Sequence, residues 1–172
     1  MAGLERLETS RLVGERLREE DFERVRALDT DPDVMATLGG IRSENETWKT
    51  LRNGLEHWER NGFGPWLFVD LASGEHVGGA ALRRVQIEGD DEVEVGYRVA
   101  AAWWGRGVAT EMARALVAVA RDPLGLREIV AFTLPYNVAS RQVMEKAGFR
   151  YERDIEWAAL PHVLYRQRLT VS

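Results

Sequence analysis

The sequence predicts a mixed α/β protein with one sheet of six or seven strands and helices on both faces. Segments with apolar residues at every second position alternate with segments whose apolar residues recur every three or four positions. The unit at 92–134 reads strand, helix, strand, which implies two parallel strands joined by a crossover helix. Short strand pairs with turn residues between them flank this unit, and they imply antiparallel neighbours.

The N-terminal part is predicted to contribute one strand and three helical segments. Residues 11–18 show the polar alternation of an edge strand, and residues 19–29 place apolar side chains on one helical face. Residues 33–38 follow as a short helical turn. Residues 45–60 form a longer amphipathic helix, and Gly62 ends it.

The middle of the chain is predicted to be a run of antiparallel strands. Residues 66–71 and 76–84 are two strands, and the turn residues at 72–75 join them as a hairpin. A turn at 89–91 leads into a third strand at 92–99, in which apolar and polar residues alternate. This third strand opens the strand-helix-strand unit.

The C-terminal part is predicted to hold the crossover helix and three further strands. The helix spans 106–121, and the mostly apolar strand at 128–134 belongs in the sheet interior. A second helix at 137–147 begins with an Asn cap and stops at a glycine. Strands at 149–157 and 163–169 close the chain.

The composition limits the class of protein. The chain has 172 residues, 45% of them apolar and 30% charged, which fits a single domain spanning 1–172. No apolar run is long enough for a membrane span, and the N-terminus is charged where a signal peptide needs an apolar core. The absence of cysteine excludes disulfides, thiolate metal sites and a cysteine nucleophile, and it fits a cytoplasmic protein.

The charge of the chain limits the kinds of partner that it is expected to bind. The net charge of −5 argues against nucleic acid as the main partner and suits a cationic substrate without selecting one. The three histidines, His57, His76 and His162, are scattered and show no metal-ligand spacing. We therefore expect neither a nucleic-acid partner nor a metal site.

The join between the strand at 92–99 and the helix at 106–121 predicts an anion-binding site. The loop between them carries Gly105 and Gly107. Glycines let the backbone approach a ligand closely, and the first-turn amides and the dipole of a helix favour negative charge. A phosphate-bearing ligand is the first hypothesis for this loop.

Two familiar phosphate-binding loops fit poorly. The nucleotide-triphosphate loop requires Gly-x4-Gly-Lys-Ser/Thr, and no such string is present. The dinucleotide fingerprint requires Gly-x-Gly-x-x-Gly, but Thr110 stands at its third glycine. That fingerprint also needs an acidic residue at the end of the next strand, where Leu134 stands.

A third loop matches better. The segment 104–111, Trp-Gly-Arg-Gly-Val-Ala-Thr-Glu, resembles the pyrophosphate loop of the GNAT acetyltransferase superfamily, Arg/Gln-x-x-Gly-x-Gly/Ala. Gly107 and Ala109 fill its last two positions, and Trp104 replaces the usual Arg or Gln. This variant is typical of the branch that resembles the RimJ/RimL ribosomal-protein N-terminal acetyltransferases. The segment from Asn137 onwards resembles that branch's Asn-x-x-Ser helix, which ends in Gly-Phe.

The resemblance implies the fold, the activity and the cosubstrate. It implies a single-domain acyl-CoA N-acyltransferase (GNAT) fold in which the parallel strands at 92–99 and 128–134 splay apart to hold acetyl-CoA. It further implies an N-acetyltransferase that moves an acetyl group by direct attack of a primary amine. The positions it assigns to coenzyme A are Tyr97, Arg98, Val99, Trp104, Gly105, Arg106, Gly107, Val108, Ala109, Thr110, Asn137 and Ser140.

The resemblance also suggests catalytic residues. Glu94 is the first candidate for the base, although it also reads as a solvated strand residue like Glu92 two positions earlier. Ser140 is placed to protonate the departing thiolate, while Asn137 holds the pantetheine arm. Simple helix capping by the same two side chains stays open, and Tyr136 is a weaker alternative for the acid.

Three arginines, Arg98, Arg106 and Arg141, are candidates to add positive charge near the phosphates. We also expect Glu111 to point away from them. Exposed apolar residues such as Trp157 leave open whether the chain forms a homodimer.

The acceptor is left open between two kinds of amine. An α-amine with a pKa of about 8 is about one-tenth neutral at pH 7, whereas a lysine amine is neutral about once in 2,500. By resemblance to the RimJ/RimL branch, a protein or peptide N-terminus is the leading acceptor. A small amine such as an amino acid, a polyamine or an aminoglycoside is the alternative, as is an acyl-CoA-binding module without turnover.

Overall fold

A computed structural model describes residues 3–170 of the chain. The described residues form eight strands and five helices, with two short 3-10 turns before the first and fourth helices. The strands are β1 (Arg6–Glu8), β2 (Leu12–Arg16), β3 (Pro65–Asp70), β4 (His76–Ile87), β5 (Asp90–Val99), β6 (Glu128–Thr133), β7 (Arg150–Trp157) and β8 (Leu160–Arg168). The helices are α1 (Phe22–Asp29), α2 (Pro32–Met35), α3 (Glu44–Asn61), α4 (Val108–Arg121) and α5 (Val138–Lys146).

All eight strands join one sheet in the order β1-β2-β3-β4-β5-β6-β8-β7. The predicted count of six or seven was one or two short, and β1 was missed because it has only three residues and shows no clear alternation. β2 is therefore an inner strand and not the edge strand that the sequence predicted, since β1 pairs with it.

The parallel pair β5–β6 is the one place where neighbouring strands separate. Every other neighbouring pair in the described sheet is antiparallel, whereas β5 and β6 share a single register pair, Glu94 with Val130. β5 continues for five residues beyond that point, to Val99. The expected splay of the two strands is confirmed, and it opens a gap in the middle of the sheet.

Helices cover both faces of the sheet, as β3 shows most directly. Trp66 and Phe68 are fully buried in the cluster that contains α4. Leu67, which lies between them, belongs instead to a cluster with Val25 of α1 and Leu51 of α3. Alternate side chains of a strand point to opposite faces, so α4 lies on one face and α1 with α3 on the other.

Most predicted boundaries lie within a few residues of the observed ones, and the start of α4 is the informative exception. The helix begins at Val108, two residues later than predicted, because Gly107 caps it in the left-handed conformation at φ 76°. Gly105 has a similar φ of 72°. The loop before α4 therefore turns twice at glycine before the helix starts. Within residues 3–170, no helix has both the length and the hydropathy needed to cross a membrane.

Candidate active site

A cavity of about 960 Å³ occupies the gap between β5 and β6. It is lined by the outer half of β5, the end of β6, the loop before α4, the first turn of α4 and the start of α5. Residues of α2, α3 and β4 line it as well. The cavity therefore joins the glycine loop to the face of the sheet that carries α1 and α3.

Six consecutive backbone amides at the start of α4, those of residues 105–110, make no hydrogen bond within the described chain. A Cβ added at Gly105 would meet no atom within 4 Å, and one added at Gly107 would meet only Arg11 Nη2 at 3.6 Å. Free amides at a helix N-terminus beside open space bind anions well. These residues fit a pyrophosphate group.

Arg11, which the sequence analysis missed, holds this loop in place. Its Nη1 donates to the backbone oxygen of Arg106 at 2.9 Å, and its Nε donates to Glu111 Oε2 at 2.7 Å. Burial alone would raise the pKa of Glu111, but the hydrogen bonds from Thr9 and Arg11 outweigh it and lower that pKa. Glu111 does not line the cavity, as we expected, so it adds no negative charge to the anion site.

Arg98 is not available to a phosphate group. Its guanidinium donates to Asp29 Oδ1 at 2.5 Å, and Asp29 is completely buried. Asp29 also accepts from Arg42 and Thr47. The prediction that the Arg98 side chain adds charge near the phosphates is wrong, because it neutralises a buried carboxylate.

The other two candidate arginines also face elsewhere. The Arg106 guanidinium lies over the ring of Trp103, 4.6 Å from its centroid, and Arg106 does not line the cavity. Arg141 donates to Tyr165 Oη at 3.0 Å and to the backbone oxygen of Pro135 at 2.9 Å. The prediction that these two side chains add positive charge near the phosphates is wrong. The anion site is therefore inferred from the free backbone amides.

Trp104 is half exposed and fastens the loop to the end of β5. Its indole Nε1 donates to the backbone oxygen of Val99 at 2.8 Å. That carbonyl is already bonded, whereas the sequence analysis assigned Val99 to coenzyme A. Tyr97 and Arg98 lie on the part of β5 that has left β6, where the strand has room for another extended chain.

Glu94 lies where β5 and β6 part, and it is only 4% exposed. Its Oε2 accepts from Arg83 Nη2 at 2.5 Å, and both residues line the cavity. Glu92 does not line it, and its carboxylate binds Arg166 at 2.7 Å. The structure therefore separates the two glutamates and leaves Glu94 as the one that faces the cavity.

Ser140 and Tyr97, which also line the cavity, contact each other. Tyr97 Oη lies 3.0 Å from Ser140 Oγ and also donates to the Ser140 backbone oxygen at 3.0 Å. Burial raises the pKa of Tyr97 to about 12, which the Ser140 hydrogen bond only partly opposes. Tyr97 is thus a neutral phenol at physiological pH. This side-chain contact joins two residues 43 positions apart and was not predicted.

Asn137 caps α5 as predicted. Its Oδ1 accepts from the Ser140 amide at 3.2 Å, and its Nδ2 donates to Thr133 Oγ1 at 3.0 Å. Both Asn137 and Ser140 line the cavity, whereas Tyr136 is 70% exposed and does not. The geometry therefore gives no support to Tyr136 as the acid.

Comparison with known proteins identifies the family. Residues 11–150 match the family model described as "Acetyltransferase (GNAT) domain". The chain belongs to the GNAT acetyltransferase family. The predicted GNAT fold, the N-acetyltransferase activity and acetyl-CoA as the cosubstrate are confirmed by this membership.

Individual relatives show the same GNAT likeness. The FsC-acetyl coenzyme A-N(2)-transacetylase of Aspergillus fumigatus is 35% identical over 159 residues, which are 84% of this chain and 65% of that protein. A crystal structure of an acetyltransferase from Agrobacterium tumefaciens has a TM-score of 0.83 at 26% identity and covers 95% of this chain and 94% of its own. RimL, the ribosomal L7/L12 α-N-protein acetyltransferase, in complex with coenzyme A, has a TM-score of 0.82 at 16% identity over 98% and 100% of the chains. At that identity the likeness to RimL shows the fold alone.

Proposed function

We propose that this GNAT acetyltransferase acetylates an α-amine, with the N-terminal amine of a protein or peptide as the leading acceptor. The observation that carries the proposal is the buried carboxylate of Glu94, which faces the cavity at the point where β5 and β6 part. This is the position from which a base reaches an amine that enters from the α3 side. Among the described residues, no other buried carboxylate lines the cavity.

The magnitude of the proton transfer favours an α-amine. An α-amine with a pKa of about 8 needs only about 1.4 kcal/mol to lose its proton at pH 7, whereas a lysine amine needs about 4.6 kcal/mol. A single carboxylate can meet the smaller requirement, directly or through one water. Support for the α-amine therefore comes from Glu94 being the one buried carboxylate that lines the cavity among the described residues.

The chain's own residues divide the remaining work. When bound, acetyl-CoA supplies the thioester whose acetyl group is transferred. The amides of 105–110 hold its pyrophosphate, and the open edge of β5 at Tyr97 and Arg98 accommodates an extended, amide-bearing arm by strand addition. Ser140 keeps a hydroxyl proton at the cavity wall, where its Oγ lies 3.0 Å from the neutral phenol of Tyr97. Asn137 fixes the position of Ser140.

A small-molecule amine is the second candidate acceptor. The observation that favours it is the relative from Aspergillus fumigatus, whose name describes transfer from acetyl-CoA to an N(2) nitrogen. An N(2) nitrogen fits the same α-amine preference. Both candidates therefore agree on the kind of amine and differ in the size of the molecule that carries it.

The α-amine preference is tested with a matched pair of lysine compounds. We expect Nε-acetyl-lysine amide, whose α-amine is free, to be acetylated at least about a hundredfold more efficiently at pH 7 than Nα-acetyl-lysine amide. Thiol release from acetyl-CoA gives kcat/KM for each compound. Equal or better use of the free ε-amine would show that the enzyme is a lysine acetyltransferase.

Ser140→Ala separates proton delivery from cosubstrate binding. We expect kcat to fall about ten- to a hundredfold with acetyl-CoA affinity nearly unchanged, since the variant keeps the Asn137 cap and loses only the hydroxyl. Tyr97→Phe, which leaves that hydroxyl in place, should lower kcat less. The measurements are steady-state kinetics and calorimetric titration with coenzyme A. Equal falls in kcat and affinity for Ser140→Ala would reduce Ser140 to a binding residue.

A further inference from the structure

The Arg83–Glu94 ion pair lies inside the acceptor side of the cavity. The two residues are direct cross-strand partners in the β4–β5 hairpin, and their side chains meet at 2.5 Å. The Glu94 side chain is 5% exposed, whereas that of Arg83 is 47% exposed. The Glu94 carboxylate is therefore enclosed by its surroundings, whereas the Arg83 guanidinium reaches solvent.

The pair can be approached from the cavity. Gly96 stands beside it, and a Cβ there would lie 3.5 Å from Glu94 Oε1 and 3.8 Å from Arg83 Nη2. Because residue 96 is glycine, it places no side chain of its own over the pair. A guanidinium has five N–H groups, and among the described residues Arg83 uses only Nη2. The remaining N–H groups are available to a second carboxylate.

The charge of the lining points the same way. The chain carries a net charge of −5, yet cationic side chains outnumber carboxylates among the residues that line the cavity. The acids are Asp33 and Glu94. The cationic residues are Arg83, Arg84 and Lys146, together with Arg42 and Arg98, which share the single buried carboxylate of Asp29. This distribution disfavours the cationic acceptor that the net charge of the whole chain suited.

We propose that the acceptor carries a carboxylate next to its amine, and that Arg83 binds this carboxylate while Glu94 takes the amine. An ammonium and a carboxylate on one molecule insert between the two side chains and replace one ion pair with two. The inference rests on the proposed function, since it places the amine at Glu94. The same chemistry is offered by the main-chain carboxylate of a free amino acid and by an acidic second residue of a peptide.

Two pairs of acceptors test the inference and distinguish these sources. The first pair is L-alanine and L-alanine amide, and the second is the peptides Ala-Asp-Ala amide and Ala-Asn-Ala amide. For each pair, kcat/KM of the carboxylate compound is divided by kcat/KM of its amide counterpart, in the wild-type enzyme and in Arg83→Gln. The wild-type ratio divided by the Arg83→Gln ratio is the double ratio. This double ratio cancels differences in amine basicity between the compounds. We expect a value of about ten to a hundred for at least one pair, because hydrogen bonds to a charged group are the stronger kind.

Arg153→Gln is the matched control. Arg153 forms a similar 2.5 Å ion pair with Glu88 on a half-exposed surface, and neither residue lines the cavity. The control should keep the wild-type preference in both pairs. A double ratio near one in both pairs would overturn the inference and leave the α-amine proposal standing. If none of the four compounds is acetylated, the inference and the α-amine proposal both fail.

Discussion

Glu94→Gln is expected to lower kcat/KM for an α-amine acceptor by about a hundred- to ten thousandfold at pH 7, the usual contribution of a positioned base. The substitution keeps the shape of a side chain that is 4% exposed, and it leaves no buried charge unpaired because Arg83 is half exposed. Affinity for coenzyme A should stay within about threefold of the wild type, since Glu94 lies away from the free amides of the α4 loop. The measurements are thiol-release kinetics and calorimetry.

Glu92→Gln serves as the control for this prediction. It lies two positions earlier on the same strand and binds Arg166, which keeps Glu128 and Glu152 as partners. We expect it to retain wild-type kinetics. The rate of Glu94→Gln should also rise with pH and level off above the α-amine pKa of about 8. A Glu94→Gln enzyme with wild-type kcat/KM at pH 7 would show that another group or bulk water removes the proton.

Gly107→Glu is expected to abolish coenzyme A binding, with a loss of at least about a hundredfold in affinity, or about 2.7 kcal/mol. The new side chain would enter open space beside the free amides of 105–110 and would place a carboxylate where the structure favours an anion. The φ of 76° adds backbone strain of about 1–3 kcal/mol. Calorimetric titration with coenzyme A measures the affinity, and thermal unfolding measures the strain.

Gly125→Glu separates strain from the loss of the anion site. Gly125 has a φ of 60°, and a Cβ there meets nothing within 4 Å, so the variant carries the same strain and charge beyond the other end of α4. Both variants should lose similar stability, and only Gly107→Glu should lose coenzyme A. Wild-type affinity in Gly107→Glu would remove the basis for placing the pyrophosphate at this loop.

The arrangement of strands and helices could be predicted because each part had a local signal. The alternation in β5 and the three- and four-residue spacing in α3 marked those elements. Gly62 marked the end of α3, whereas its start at the Ser43 cap was predicted one residue too late. β1 was not predicted because three residues are too few to show the alternation of apolar and polar side chains. That residues 1–172 form a single domain, and that the protein is cytoplasmic, stay predictions.

The Arg83–Glu94 pair was missed because the turn before β5 was placed too late. The hairpin is centred on Glu88 and Gly89, which have φ values of 50° and 95°, so every β4–β5 pair is symmetric about them. Such two-residue turns are usually marked by Asn-Gly or Asp-Gly, and glutamate in the first position hides the signal. With that centre known, the sequence alone would have paired Arg83 with Glu94.

Contacts between segments that are distant in the chain could not be predicted from the sequence. Arg11 reaches Glu111 across 100 positions, and Tyr97 meets Ser140 across 43. Arg98 turns to Asp29, 69 positions away, and leaves the anion site that the sequence assigned to it. A single sequence carries no local pattern for such contacts. The glycine loop before α4 was predictable because its chemistry is carried by consecutive backbone amides.

The central claim is that the free amides of residues 105–110 hold the pyrophosphate of coenzyme A. The most direct measurement is an amide NMR titration of the nitrogen-15-labelled protein with coenzyme A. We expect the six resonances to shift together along one saturable curve, while the amides around Gly125 keep their positions. Saturation of binding with these six resonances unmoved would contradict the claim and place the coenzyme elsewhere on the protein.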